Sequence, residues 1–142
     1  MTVHKTAAVA SLMLLMAGGP AMAENFLVHI HTGPADPTKA ALGFIVALAA
    51  QNAGHHVDVF LAGDGASLIT DDAISSVEGV GTGKLQEHFR ALTGGDARIY
   101  ISKMSAGARS ITDADLAGKP AEFATPAKLV ELAAAADVVL AY

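Results

Sequence analysis

The residues best equipped for chemistry share one tract, Ile99-Tyr100-Ile101-Ser102-Lys103-Met104-Ser105-Ala106-Gly107-Ala108-Arg109-Ser110-Ile111-Thr112. An apolar run ends at a hydroxyl, and a small-residue loop then carries one lysine, one arginine and further hydroxyls. In an open α/β sheet, ligands bind where such a loop leaves the carboxyl end of a strand. Ser102, Lys103, Ser105, Arg109 and Thr112 are therefore the candidate ligand-binding residues. Two cations among hydroxyls suit a sulfur oxyanion or a small carboxylate. Arg109 equally suits a carboxylate from a neighbouring subunit. Thr112 with Asp115 makes a capping-box pattern, and the turn it opens offers backbone N–H groups to an anion. A catalytic role for Ser102 is the alternative, and it requires a base within hydrogen-bond reach. His29 and His31 lie near the carboxyl edge of the first strand and are the available bases, but no Gly-x-Ser-x-Gly elbow surrounds Ser102.

The histidines also raise a metal question. His29 and His31 share one face of a strand, because side chains alternate, and form a weak candidate pair for a metal carrier. His55 and His56 sit at the opposite edge of the second strand, roughly 16–20 Å away at ~3.3 Å per residue. The four therefore do not make one site. His29 shares its face with Leu27 and reads as a core histidine beneath a helix.

The first 23 residues read as a leader rather than as part of the fold. Lys5 supplies a positive start, residues 6–19 are apolar but short for a membrane span, and Ala21-Met22-Ala23 is a small-x-small cleavage site. The expected mature chain, residues 24–142, is one domain in the periplasm, with no membrane contact after cleavage. Removing Lys5 from nine Lys/Arg leaves eight, against fourteen Asp/Glu. That acidic balance argues against nucleic acid and anionic membranes as partners. The chain has no cysteine. Disulfides, thiolate–zinc sites and covalent persulfide chemistry are excluded together, and no cofactor is expected.

Four strands are legible, at residues 26–31, 57–62, 97–102 and 138–141. Asp36-Pro37 opens a helix that is apolar nearly all round from 40 to 50 and stops at Gly54. A helix without a polar face needs cover on two sides, one from the sheet and one from a second subunit. Gly63-Asp64-Gly65 reads as a turn, residues 67–76 as a short helix and Gly79-Val80-Gly81 as a flexible link. Thr82 is the expected cap of a helix carrying Leu85, Phe89 and Leu92. Thr125-Pro126 opens the last helix, through Ala136. Alternating strands and helices with short joints imply a three-layer α/β/α domain with a parallel sheet of four to five strands.

These segments, in this order, resemble the DsrE/DsrF-like sulfur-relay family. The resemblance spans the first strand with Gly33-Pro34, Gly54 through Gly65, the Ser102 loop, Leu116–Gly118 and the closing Val-Leu-Ala-Tyr. It implies a small flavodoxin-like sheet and homo-oligomers, often trimers or hexamers. It also implies a reactive cysteine at the strand end, followed by an Arg-Gly pair. Ser102 stands where that cysteine belongs, and Ser110 follows Arg109 where glycine is usual. The expected protein is a periplasmic, non-catalytic member that binds a small sulfur-related anion or a protein partner.

Overall fold

The computed structural model describes residues 22–142. The leader predicted over residues 1–23 thus lies, except for Met22 and Ala23, outside the described residues.

The strands are β1 (Asn25–Ile30), β2 (His56–Leu61), β3 (Glu78–Gly79), β4 (Gly83–Lys84), β5 (Arg98–Ser102), β6 (Ala121–Ala124) and β7 (Val138–Ala141). The α-helices are α1 (Pro37–Asn52), α2 (Asp71–Ser76), α3 (Leu85–Thr93), α4 (Lys103–Gly107), α5 (Asp113–Leu116) and α6 (Pro126–Ala135), with a 3-10 helix over Gly63–Ile69. Five strands form one parallel sheet in the order β6-β5-β2-β1-β7. The chain steps from β1 through β2 and β5 to β6, then α6 carries it back to β7 at the far edge. A crossover of the same hand running in the reverse direction must place its helix on the opposite face, and α6 packs there. The three-layer α/β/α, flavodoxin-like architecture read from the sequence is the observed one.

Strand register sorts the side chains onto the two faces. Val28, Ile30, Val59, Leu61, Ile99 and Ile101 point to the side of α1 and α3, where Phe44, Leu85, Phe89 and Leu92 complete the main core. Leu27, Phe60 and Tyr100 point the other way and meet Leu132 of α6. Asp36 caps α1 by accepting from the Lys39 N–H at 3.1 Å, Pro37 fills its first turn, and Gly54 follows with φ +89°. Gly43 lets α1 settle directly on β1: a Cβ there would stand 2.6 Å from the Ile30 side chain. The second side of α1 is met largely inside the chain, by α3 and the β3–β4 hairpin, leaving Leu42 37% exposed.

Several local readings are corrected. Gly79-Val80-Gly81 is not a loose link but part of the β3–β4 hairpin. Its Val80 N–H is held by the Thr38 hydroxyl at 3.0 Å. Thr82 lies in that hairpin turn and does not cap α3, whose N-cap is Lys84 without a side-chain bond. The region 67–76 divides into the end of the 3-10 helix and α2, which Thr70 caps. The tract after Ser102 is not an open loop but begins with α4. The fifth strand, β6, has no counterpart among the four strands read from the sequence.

Candidate functional site

The loops after β1, β2 and β5 meet at the carboxyl edge of the sheet, and glycines permit the meeting. A side chain on Gly65 would stand 2.3 Å from the Ile30 carbonyl, and one on Gly33 would overlap Asp64. Gly63 takes φ +53°, a backbone region that L side chains avoid. With these residues small, the 3-10 helix after β2 lies against the turn after β1, and Gly65 N–H reaches the His31 carbonyl at 2.9 Å.

Onto this edge β5 delivers Ser102. Its hydroxyl caps α4 by accepting from the Ser105 N–H at 3.4 Å. The Ser105 hydroxyl in turn accepts from the Gly63 N–H at 2.9 Å, fastening α4 to the 3-10 helix. Arg109 donates to the Ser105 carbonyl at 3.1 Å and forms an ion pair with Asp64. Ser102, Ser105 and Arg109 are thus brought together, with Gly63 and Asp64 as partners that the sequence reading had taken for a plain turn. The carboxylate that holds Arg109 comes from the same chain. Lys103 begins α4 and is exposed. Thr112 is used elsewhere: the Asp115 carboxylate accepts from its N–H at 2.8 Å and from its hydroxyl at 3.3 Å. The capping box read from the sequence is present; it takes up the N–H of Thr112 itself, while the Asp115 N–H reaches the Thr112 carbonyl at 3.0 Å.

Ser110 explains a detail of the same loop. Its φ is +56°, the one positive value on a non-glycine residue among the described residues. The turn after Arg109 therefore needs a left-handed residue, and glycine meets that need without strain.

The histidines lie apart, as the strand arithmetic required. His55 and His56 sit at the amino edge, where the His55 Nδ1 accepts from the Glu24 N–H at 3.1 Å and its ring meets Phe26. His29 is half-buried on the α6 face. Its ring centroid is 3.8 Å from that of His31, and it stands edge-on to Phe60 at 5.3 Å. The His29 Nε2 is buried without a hydrogen-bond partner. Burial, and then the charge of His31, push its pKa down to about 4. His29 is therefore a neutral, half-buried ring near pH 7. Among the described residues no group of three or more histidine or carboxylate side chains is placed to hold a metal. No hydrogen bond joins Ser102 to a histidine there either, so the base that a serine nucleophile needs is not in contact with it.

A cavity of about 330 Å³ opens at the other end of the sheet, on the α6 face, lined by Asp58, Arg98, Tyr100, Lys128 and Glu131 among others. Its charges are mutually engaged. Arg98 Nε lies 3.4 Å from Asp58, and Lys128 Nζ lies 2.8 Å from Glu131 and 5.6 Å from the centre of the Tyr100 ring. Burial nonetheless raises the Asp58 pKa, with Arg98 opposing.

A family model described as DsrE/DsrF-like matches residues 24–142. The chain belongs to the DsrE/DsrF-like family. Among solved structures, the YchN protein from E. coli superposes with a TM-score of 0.66, covering 85% of this chain and all of that one at 19% identity. At that identity the likeness shows the shared fold. No curated protein matches the sequence. This DsrE/DsrF-like chain presents a serine at the end of β5, capping the helix that follows.

Proposed function

We propose that this protein is an exported, oligomeric DsrE-like protein that binds a small sulfur oxyanion, or a carboxylate of a partner protein, at the Ser102 edge without covalent sulfur transfer. The observation that carries this reading is the anchored hydroxyl and cation cluster after β5. By the family resemblance Ser102 stands where a reactive thiol belongs, with Ser105 and Arg109 bonded beside it, and the chain contains no cysteine. A serine hydroxyl is barely ionised near neutral pH and forms no persulfide. What remains at the edge is recognition: Arg109 held in place by Asp64, Lys103 free in solvent, and hydroxyls between them. A sulfur oxyanion competing with Asp64 for Arg109 gains a charge-assisted contact. Export rests on the leader pattern, and oligomerisation on the family resemblance.

Calorimetric titration with thiosulfate and sulfite tests the reading. Saturable binding should weaken at least tenfold in Arg109→Gln and fall less in Lys103→Gln. Binding equal in wild type and both variants would remove the site. Persulfide transfer assays on the wild-type protein should give no sulfur-loaded species.

A further inference from the structure

The two edges of the sheet are built differently. Among the described residues β6 pairs only with β5, and β7 only with β1, so each presents a row of unpaired backbone groups outward. An edge strand of this kind is a template for another strand unless charge or proline guards it. The β6 edge is guarded by Pro120 before it, Glu122 within it and Pro126 after it. Residues 138–142, Val-Val-Leu-Ala-Tyr, hold no charged side chain and no proline, and the carboxylate of Asp137 before them accepts from the Asn25 N–H at 2.8 Å.

Exposed apolar side chains gather beside the bare edge on both faces. Val139 is 52% exposed and, by register with Leu27, faces α6. On α6, Leu129 and Leu132 face the sheet while Lys128 and Glu131 flank the cavity over Arg98. Val130 of α6 is exposed as well, at 68%. On the other face Leu42 adjoins Gly43, the residue of α1 that approaches Tyr142.

We propose that β7 pairs antiparallel with β7 of a second copy of this chain about a two-fold axis, joining the two sheets edge to edge. The proposal rests on the oligomeric reading above and assigns it a surface. A two-fold contact lays a patch on itself, so it succeeds only where like charges do not meet. The run 138–142, without a charged side chain, satisfies that condition. Valine and leucine side chains facing each other across such a pair also make favourable cross-strand contacts. Head-to-tail pairing of β7 with the neighbour's β6 would instead bring the bare edge against Glu122 and the flanking prolines.

The absence of cysteine makes the test clean. Single cysteines are introduced as Val138→Cys, Val139→Cys, Leu140→Cys and Ala141→Cys, with Glu122→Cys as the control on the other edge, and each protein is mildly oxidised. Separately, the solution mass of wild type and Val139→Lys is measured by light scattering, with circular dichroism to verify folding. The expected result is a covalent dimer at one or two positions of β7 and none at Glu122→Cys, with Val139→Lys halving the solution mass. An oligomeric wild type whose mass is unchanged by Val139→Lys and which gives no covalent dimer from β7 overturns the edge assignment while leaving the oligomer reading intact. Covalent dimers only in mixtures of a β7 variant with Glu122→Cys mean head-to-tail pairing and overturn it equally. A monomeric wild type removes both readings.

Discussion

The two faces of the central sheet are covered by unequal amounts of protein, and the inequality separates stability from chemistry. On the α1 face every inward residue of β1, β2 and β5 is apolar, and aromatic and leucine side chains from two helices and the 3-10 segment pack over them. On the α6 face a single helix of 10 residues buries only Leu132 of its own, and the sheet beneath it mixes Leu27, Phe60 and Tyr100 with His29, Asp58 and Arg98. Three of the four resolved pKa shifts among the described residues, those of His29, Asp58 and Tyr100, belong to that thinly covered sheet face. Ser102 lies on the same face, two residues beyond Tyr100. The thick face holds the fold together, which leaves the thin one free to carry ionisable groups at little cost.

The contrast breaks most readily under truncation. Phe44→Ala on the thick face should cost about 3–5 kcal/mol, because a wholly enclosed ring leaves a cavity that cannot collapse. Leu132→Ala on the thin face should cost about 2 kcal/mol, the low end for leucine, since the gap opens toward solvent. Urea unfolding of both variants measures the difference. Equal losses would mean that the two faces are not unequal in the way their burial indicates.

Acid sharpens the same contrast through His29. Its pKa is about 4 in the folded chain and 6.5 when unfolded. Above 6.5 neither state binds a proton there, so the group adds no pH dependence. As pH falls from 6.5 toward 4 the unfolded state protonates first, and stability is lost across that window. Screening at a ring only partly buried reduces the loss to on the order of 1 kcal/mol. His29→Phe should remove that part of the acid destabilisation, read from unfolding midpoints between pH 7 and 4. A variant with an unchanged slope would place the titration elsewhere.

The loop at the carboxyl edge gives the smallest effect. Ser110 holds φ +56°. Ser110→Gly should relieve left-handed strain of ~1 kcal/mol, partly offset by the greater freedom of glycine in the unfolded chain. A net gain of about 0.5 kcal/mol is expected in thermal unfolding. A loss would mean that the serine side chain makes a compensating bond.

The sequence disclosed most where one local signal sufficed. Asp36-Pro37, Gly54 and Thr125-Pro126 marked helix ends directly, and β-branched runs marked four strands. β6 escaped because Ala-Glu-Phe-Ala has neither length nor β-branching; pairing with β5 makes it a strand. The hairpin at Val80 depends on Thr38, which is 42 residues away in the chain. At the site, the strand end and its hydroxyls were legible from residue type. Asp64 as the partner of Arg109 was not, because it follows a different strand, and only the close glycine contacts bring that loop alongside. Ser110 did carry a readable signal: a non-glycine where the family resemblance calls for glycine foretells a strained turn.

The central claim, that Ser102 occupies the family's reactive position in a chain that has lost the thiol, is tested most directly by restoring it. Ser102→Cys places one thiol in a protein with no other cysteine, at the capping position of α4 with Lys103 and Arg109 nearby, surroundings that favour the thiolate. Its alkylation rate by iodoacetamide at pH 7 is compared with that of Ser76→Cys on the exposed end of α2. Faster reaction at position 102 is the expected result. A thiol there that reacts more slowly than the control, in a protein that remains folded, would contradict the account.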